Sequence, residues 1–171
     1  MENKKEKLED FKTAISSTVR SLSNSQEIEI SFGNQAIKSS KNSIRLPDLE
    51  QGSNKLNYEK IRAIADSKSL NLRFSDVKTL KKYEPEGNIS KKLYSISEKI
   101  RCEKIGTSYF KGVKKNIEKY YYKRLSGLDL KSSEDKIIES FENYLRTKFL
   151  NFENNSPVSY THLTLPTIYS V

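Results

Sequence analysis

The sequence predicts a mainly α-helical protein with a small β-strand or hairpin element, an α+β fold with about five helices around one core. Apolar residues recur at steps of three and four through most of the chain, which is the period of helices with one buried face. One short segment alternates between apolar and polar residues, as a half-buried strand does. With 171 residues, of which 35% are hydrophobic and 31% charged, the chain can bury one modest core.

The first predicted elements are a helix and a strand. The helix ends at Ser23 to Gln26, and its single apolar stripe consists of Leu8, Phe11, Ile15, Val19 and Leu22. Residues 27–32 then alternate, and their apolar side holds Ile28, Ile30 and Phe32. Gly33 begins a turn signal. The polar stretch 35–55 predicts either a loop or an irregular hairpin, with Ser43 to Leu46 as the candidate second strand.

Two helices are predicted in the middle of the chain. The first is capped by Asn57 and runs to about Phe74, and its inner side carries Ile61, Ile64, Ala65 and Leu72. The second is capped by Asn88 or Ser90 and ends near Gly106, and its stripe is Ile89, Leu93, Ile96 and Ile100. Each of them therefore buries one face.

Two more helices follow. The first begins at Gly112 and is closed by Gly127, and its stripe is Val113, Ile117, Tyr120, Tyr121 and Leu125. The last begins at Ser132, where Asp135 three residues later forms a start like a capping box. Its predicted inward residues are Ile138, Phe141, Leu145, Phe149 and Phe152.

A net charge of +9 arises from 31 Lys and Arg against 22 Asp and Glu. The densest basic stretch runs from Lys111 to Arg124 and surrounds three tyrosines, which fits a phosphate-binding face with stacking aromatics. The apolar stripe in the same segment favours a simpler interpretation, in which the lysines are the solvated back of a buried helix. Nucleic acid is therefore the weaker of the two interpretations.

Composition excludes several classes of protein and site. No stretch approaches the ~20 apolar residues of a membrane-spanning helix, and the charged N-terminus is unlike a signal peptide, so we expect a cytoplasmic protein without membrane contact. One Cys and one His do not supply a four-ligand zinc site. Cys102 lies inside a predicted helix, where we expect a surface or half-buried thiol. No catalytic, cofactor-binding or metal-binding residue emerges from the motifs.

Residues 156–171 differ from the rest because they contain no Lys, Arg, Asp or Glu. Their sequence, SPVSYTHLTLPTIYSV, is similar to a translated sequencing adapter, which predicts a non-native tail that holds the only histidine, His162. We therefore expect a truncated chain, made of a helical domain over residues 1–130, a further helix over 131–155 that starts the connection to missing parts, and this tail.

Several short phrases occur in an order that resembles a known family. They are Val19-Arg20, the strand Glu27 to Gly33, Arg45-Leu46-Pro47, Arg62 with Ala65-Asp66-Ser67, Leu70, Leu72 and Arg73, then Glu98, Arg101, Glu103, Ile105 and Gly106, and finally Gly112, Val113 and Asn116. By their order and spacing, residues from about Phe11 to Leu125 resemble the N-terminal domain of the T subunit of aerobic cobaltochelatase. That enzyme inserts cobalt into a corrin ring in cobalamin synthesis.

The resemblance implies a subunit of an ATP-dependent metal chelatase, a ligase that forms metal–nitrogen bonds. It implies two partners, an AAA+ ATPase subunit and a large subunit that binds cobalt and the corrin. ATP, magnesium and cobalt then belong to the whole complex, and this part is a non-catalytic scaffold or docking module. The alternatives are a small basic nucleic-acid-binding protein, which would use Lys111 to Arg124, and an orphan protein-interaction domain.

Six polar residues lie in the phrases shared with that family: Arg45, Arg62, Asp66, Arg73, Arg101 and Glu103. We expect them either to form an internal ion-pair network or to face the ATPase subunit. Asp66 can pair locally with Arg62 or Arg73, and Arg101 with Glu98, at or near helical spacing. Local pairing slightly favours the internal interpretation.

Overall fold

The computed structural model describes residues 2–35, 43–48, 58–125 and 132–151. In chain order the elements are α1 (Glu2–Ser23), β1 (Glu29–Phe32), β2 (Ser43–Leu46), α2 (Tyr58–Phe74), α3 (Val77–Lys82), α4 (Asn88–Tyr109), α5 (Lys111–Leu125) and α6 (Ser133–Leu150). The fold is mainly α with a two-stranded sheet, which confirms the predicted class. None of the described helices combines the length and apolar composition needed to cross a membrane.

The two strands run parallel, with Glu29 opposite Ser43 and Phe32 opposite Leu46. The candidate second strand is therefore confirmed, whereas the irregular hairpin, one of the two alternatives for residues 35–55, is wrong. A hairpin joins antiparallel strands through a tight turn, whereas parallel strands require a longer crossover. Side chains alternate along β2, so that Leu46 is buried while Arg45 is exposed.

The sheet packs on α1 and α2 through an apolar group that we call the sheet-side cluster. It consists of Ile15, Val19, Ile28, Phe32, Ile44, Leu46, Ile61 and Ala65. Leu8 and Phe11 extend it as half-buried residues at its edge. These side chains follow the three-and-four steps of the helices and the alternation of the strands. On α1 and β1 the stripe seen in the sequence is therefore the buried face, whereas Leu72, predicted on the inner side of α2, is 38% exposed.

A second apolar group, the helical cluster, joins α1 and α2 to α4, α5 and α6. It consists of Leu22, Leu70, Ile100, Val113, Ile117, Tyr121 and Leu150. Helix α2 supplies Ile61 and Ala65 to the sheet-side cluster and Leu70 to the helical cluster. Helix α1 likewise supplies Ile15 and Val19 to the first and Leu22 to the second, so α1 and α2 both connect the two parts of the core.

Helix α4 passes very close to α2 at Gly106. A Cβ atom at this position would lie 2.3 Å from a methyl carbon of Leu70, which is fully buried. The helix continues past Gly106 to Tyr109, so the prediction that α4 ends near this glycine is wrong. Gly106 instead lets α4 pack closely against α2. The residue immediately before α4 is Gly87, which occupies the N-cap position with φ +87° and has no side chain to cap the helix.

Three helix starts can be compared with the sequence. The expected cap of α4 at Asn88 or Ser90 is wrong, since Gly87 occupies the cap position. The short helix α3 was not predicted, and its cap is the Asp76 carboxylate, which accepts from the backbone N–H of Lys78. The cap of α6 is confirmed, because the Ser132 hydroxyl accepts from the backbone N–H of Asp135 at 3.0 Å. The predicted positions of Asn57, Gly127, Phe152 and the tail over 156–171 lie outside the described residues.

Candidate functional site

The most unusual feature of the interior is a set of buried charges where α6 meets α4 and α5. Glu103 on α4 is fully buried, and Glu142 and Arg146 on α6 are 4% and 2% exposed. Charged side chains are almost never buried this completely unless they are paired. Their contacts therefore decide what this region can do.

Arg146 lies between the two buried glutamates. Its Nη1 donates to Glu103 Oε2 at 2.5 Å, and its Nη2 and Nε donate to Glu142 Oε1 at 2.8 and 3.1 Å. The other oxygen of Glu103 accepts from the Ser67 hydroxyl at 2.5 Å. The guanidinium also lies over the ring of Tyr121, 3.3 Å from its centroid. Arg146 thus connects α6 to α4 and α5, and Ser67 extends the chain of contacts to α2.

Further charges extend the group from Glu142 toward the surface. Arg124 Nη2 donates to Glu142 Oε2 at 2.8 Å and to the two oxygens of Glu139 at 2.7 and 2.8 Å. Lys99 Nζ lies 3.5 Å from Glu142 Oε1 and donates to the Tyr121 hydroxyl at 2.6 Å. We call the following six residues the ionic network: Lys99, Glu103, Arg124, Glu139, Glu142 and Arg146. Its cations and carboxylates are equal in number.

The network fixes the protonation of its central carboxylate. Burial alone would raise the pKa of Glu142, but the charges of Lys99, Arg146 and Arg124 outweigh burial and lower it to about 2. Burial raises the pKa of the Tyr121 phenol, so the hydroxyl stays protonated. A carboxylate with such a low pKa does not accept a proton near neutral pH, and it is therefore unsuited to general acid–base chemistry.

A smaller polar contact ties α2 to α1 and α5. The fully buried carboxylate of Asp66 accepts from Arg62 Nε at 2.9 Å and from Asn116 Nδ2 at 2.8 Å. Arg62 Nη1 in turn donates to Thr18 Oγ1 on α1 at 3.3 Å. Burial raises the pKa of Asp66, although Asn116 and Arg62 act in the opposite direction. Asp66 and Arg62 pair as their spacing predicts.

The remaining predicted polar residues lie in separate places. Arg101 pairs with Glu98 at 2.7 Å and donates to the Phe74 carbonyl at 2.7 Å. Arg73 donates to the Leu22 carbonyl at 3.2 Å and, among the described contacts, does not reach Asp66. Arg45 is exposed on β2. The structure therefore divides the six predicted residues among several local contacts, and only Glu103 belongs to the ionic network.

The buried face of α6 differs from the predicted one. The sequence stripe was expected inward, yet Phe149 is 52% exposed and Phe141 and Leu145 are only half-buried. The residues buried instead are Glu142, Asn143, Arg146 and Leu150. Apolar periodicity missed this face because it assigns charges to the surface. The available signal was the i,i+4 spacing of Glu142 and Arg146, which places opposite charges on one face.

Cys102 was expected at the surface or half-buried, and this expectation is wrong because the thiol is fully buried. Burial, with the nearby charge of Glu98, raises its pKa to about 12, and a thiol that stays protonated is a poor nucleophile. Within the described ranges, no group of three or more His, Cys, Asp or Glu side chains is arranged to hold a metal ion.

Lysines of the basic stretch on α5 lie on its solvent-exposed face, which is the interpretation that the sequence favoured. Val113, Ile117 and Tyr121 are buried, while the lysines at 115, 119 and 123 are exposed. Lys119 and Lys123 both contact the Glu59 carboxylate on α2. Part of this positive charge is therefore neutralised within the protein.

Comparison with known proteins gives one family. The family described as cobalamin biosynthesis protein CobT matches residues 5–141. This range runs from α1 into α6 and includes both apolar clusters except Leu150. No solved structure matches the chain.

Proposed function

The chain belongs to the cobalamin biosynthesis protein CobT family, and on this premise we propose that it is a non-catalytic docking part of an ATP-dependent cobaltochelatase. Membership shows involvement in cobalamin biosynthesis as a cobaltochelatase subunit. The proposal adds its role: the domain gives a fixed surface to an AAA+ ATPase subunit, which acts on the large subunit that holds cobalt and the corrin. We propose a cytoplasmic location for this complex.

The observation that carries this proposal is the pairing of the buried charges. Glu103 and Glu142 both accept hydrogen bonds from Arg146, so these buried groups hold helices in place and do not reach a substrate. The low pKa of Glu142 and the high pKa of Cys102 leave neither group suited to proton transfer or nucleophilic attack near neutral pH. These buried charges therefore stabilise the position of α6 against α4.

The described residues offer no cluster of three metal-ligating side chains, so we assign no step of ATP hydrolysis or cobalt insertion to this chain. In the proposed complex, ATP and magnesium act at the AAA+ subunit, and cobalt is a substrate held by the large subunit. The contribution of this domain is then to bring the other subunits together.

Among the six polar residues shared with the family, Arg45 is the best candidate for a contact with a partner. The other five each form a hydrogen bond to another residue in the described part of the chain. They are Arg62, Asp66, Arg73, Arg101 and Glu103. The Arg45 side chain is exposed and makes no ion pair there. An exposed, unpaired guanidinium presents five donors to a partner.

The test is assembly with the AAA+ ATPase subunit from the same organism. The full chain is co-expressed with a tagged ATPase subunit, and the complex is sized by mass photometry with ATP and magnesium. We expect the two proteins to co-purify, and we expect cobalt insertion by the ATPase and large subunits to increase when the chain is added. Absence of association under every nucleotide condition contradicts the proposal.

The same preparation separates docking from nucleic-acid binding. A labelled duplex DNA is titrated at about 50 and 200 mM salt, since binding through six or more phosphate contacts falls by orders of magnitude over this range. We expect weak binding, because Lys119 and Lys123 already contact Glu59. Tight, steeply salt-dependent DNA binding without assembly supports the alternative.

A further inference from the structure

The carboxyl ends of β1 and β2 border an open cavity of about 560 Å³ beside α2. Residues from both strand ends and from α2 line it, including Asn34, Arg45, Leu46, Asp48, Ile64 and Lys68. Ligand pockets in proteins are concave clefts of about 300–1,000 Å³ with a few polar groups in an apolar lining. The size and mixed lining of this cavity therefore make it a candidate binding site.

Two cations face this cavity. Arg45 is exposed and has no ion pair with the part of the chain that the structure describes. Lys68 uses one donor on the Arg45 carbonyl, at 2.7 Å. Burial lowers the pKa of Lys68, and the positive charges of Lys99 and Arg45 lower it further. A negative charge in the cavity would relieve this repulsion.

Other lining residues restrict which anion fits. Ile64 and Pro47 are half-buried and give the cavity an accessible apolar wall, whereas Leu46 is only 1% exposed. Asp48 adds a carboxylate to the lining, which disfavours a multiply charged phosphate or a nucleic acid backbone. The combination favours a single carboxylate next to an apolar side chain, as an acidic peptide presents.

We propose that this cavity binds an acidic segment of a partner protein, with a carboxylate held by Arg45 and Lys68 and a neighbouring apolar side chain packed on Pro47 and Ile64. The fork of an arginine can hold a carboxylate through two parallel hydrogen bonds, and the Lys68 ammonium keeps donors beyond the one on the Arg45 carbonyl. The inference rests on the proposed docking role, and it deepens that role by naming the chemistry of the docked segment.

The experiment titrates the full chain with a fluorescein-labelled peptide of alternating glutamate and leucine and follows anisotropy. We expect saturable binding that weakens about tenfold in Arg45→Gln and in Lys68→Gln, because each loses a hydrogen bond to a charged group. Lys115→Gln is the matched control: it removes one exposed positive charge from α5, and we expect a change of less than about twofold. In ¹⁵N spectra, which also verify folding, we expect the Gly33 and Asn34 amides to shift on binding.

Three outcomes overturn the inference. The first is no saturable binding, and the second is an equal loss in Lys115→Gln, which indicates attraction by net charge alone. The third is tighter binding of a labelled oligonucleotide with the same dependence on Arg45. The docking role is judged separately by assembly with the ATPase subunit. Assembly that is unchanged in Arg45→Gln, with no peptide binding, rejects the inference and keeps the role, whereas absence of assembly in the unsubstituted chain rejects the role.

Discussion

The two parts of the core are held together by different forces. The sheet-side cluster is made of apolar side chains from α1, α2 and the two strands, and burial of apolar area stabilises it. Beside the helical cluster, by contrast, the ionic network buries the charges of Glu103, Glu142 and Arg146. Both parts share α2, because Ile61 and Ala65 pack in the sheet-side cluster whereas Ser67 donates to Glu103 of the ionic network.

This difference determines how each part responds to change. An apolar cluster tolerates a similar hydrophobic side chain because the contacts are non-directional. A buried ion pair does not tolerate the loss of one member, because the other is then left as an uncompensated charge in a low-dielectric interior. We therefore expect the position of α6 to depend on a few hydrogen bonds, and that of α1 on total apolar volume.

The largest effect is expected for Arg146→Met, which keeps an unbranched apolar stem and removes the guanidinium with its charge. Glu103 and Glu142 then lose their shared partner, and we expect the free energy of unfolding to fall by about 3–5 kcal/mol. Urea denaturation followed by circular dichroism measures it. The control is Lys136→Met, an exposed position on the same helix, where we expect less than about 0.5 kcal/mol. Equal stability of the two variants contradicts the role of the network.

Stability should also depend on pH through Glu142. Its pKa in the folded protein is about 2, against an ordinary value of 4.5. A depressed folded-state pKa stabilises the protein above pH 4.5, and this contribution, about 3 kcal/mol, is lost as the pH falls toward 2.

Urea titrations between pH 7 and pH 2.5 of the unsubstituted chain and of Glu142→Gln test this prediction. The variant should be less stable at pH 7, and the difference between the two proteins should shrink as the pH falls. A difference that stays constant over this range shows that the ionised form of Glu142 is not what stabilises the fold.

A smaller effect is expected at the α2–α4 contact. Gly106→Ala places a methyl group against the buried Leu70 side chain, and overpacking of this kind costs about 1–3 kcal/mol. The better helix propensity of alanine returns at most about 1 kcal/mol, so we expect a net loss of up to about 2 kcal/mol in thermal or urea unfolding. Gly112→Ala is the control, because a Cβ there meets nothing within 4 Å. We expect that variant to be slightly stabilised, and an equal gain at Gly106 contradicts the close contact.

The comparison of the two parts also explains what the sequence could predict. The sheet-side cluster follows simple periodicity: Ile15 and Val19 lie one helical turn apart, and both are buried as predicted. The direction of β2 could not be predicted, because alternation fixes which face is buried and does not specify whether strands run parallel.

The ionic network illustrates what periodicity cannot detect. Glu142 and Arg146 have opposite charges at i,i+4, a spacing that also pairs charges on exposed helix faces, so burial depends on what α4 and α5 place opposite them. Their partner Glu103 lies on another helix, far away in the sequence. Gly106 was misassigned for a related reason: a glycine inside a helix and one at its end look alike until the neighbouring helix is known.

The most direct test of the ionic network is a double-mutant cycle on Glu103 and Arg146, the pair that joins α4 to α6. The free energy of unfolding is measured at pH 7 for the unsubstituted chain, Glu103→Gln, Arg146→Met and the double variant. If the pair holds these helices together, the double variant should lose less than the sum of the single losses, by about 2 kcal/mol or more. Each single variant leaves one charge of the pair without the other, whereas the double variant removes both charges. Losses that add to within about 0.5 kcal/mol would contradict the account.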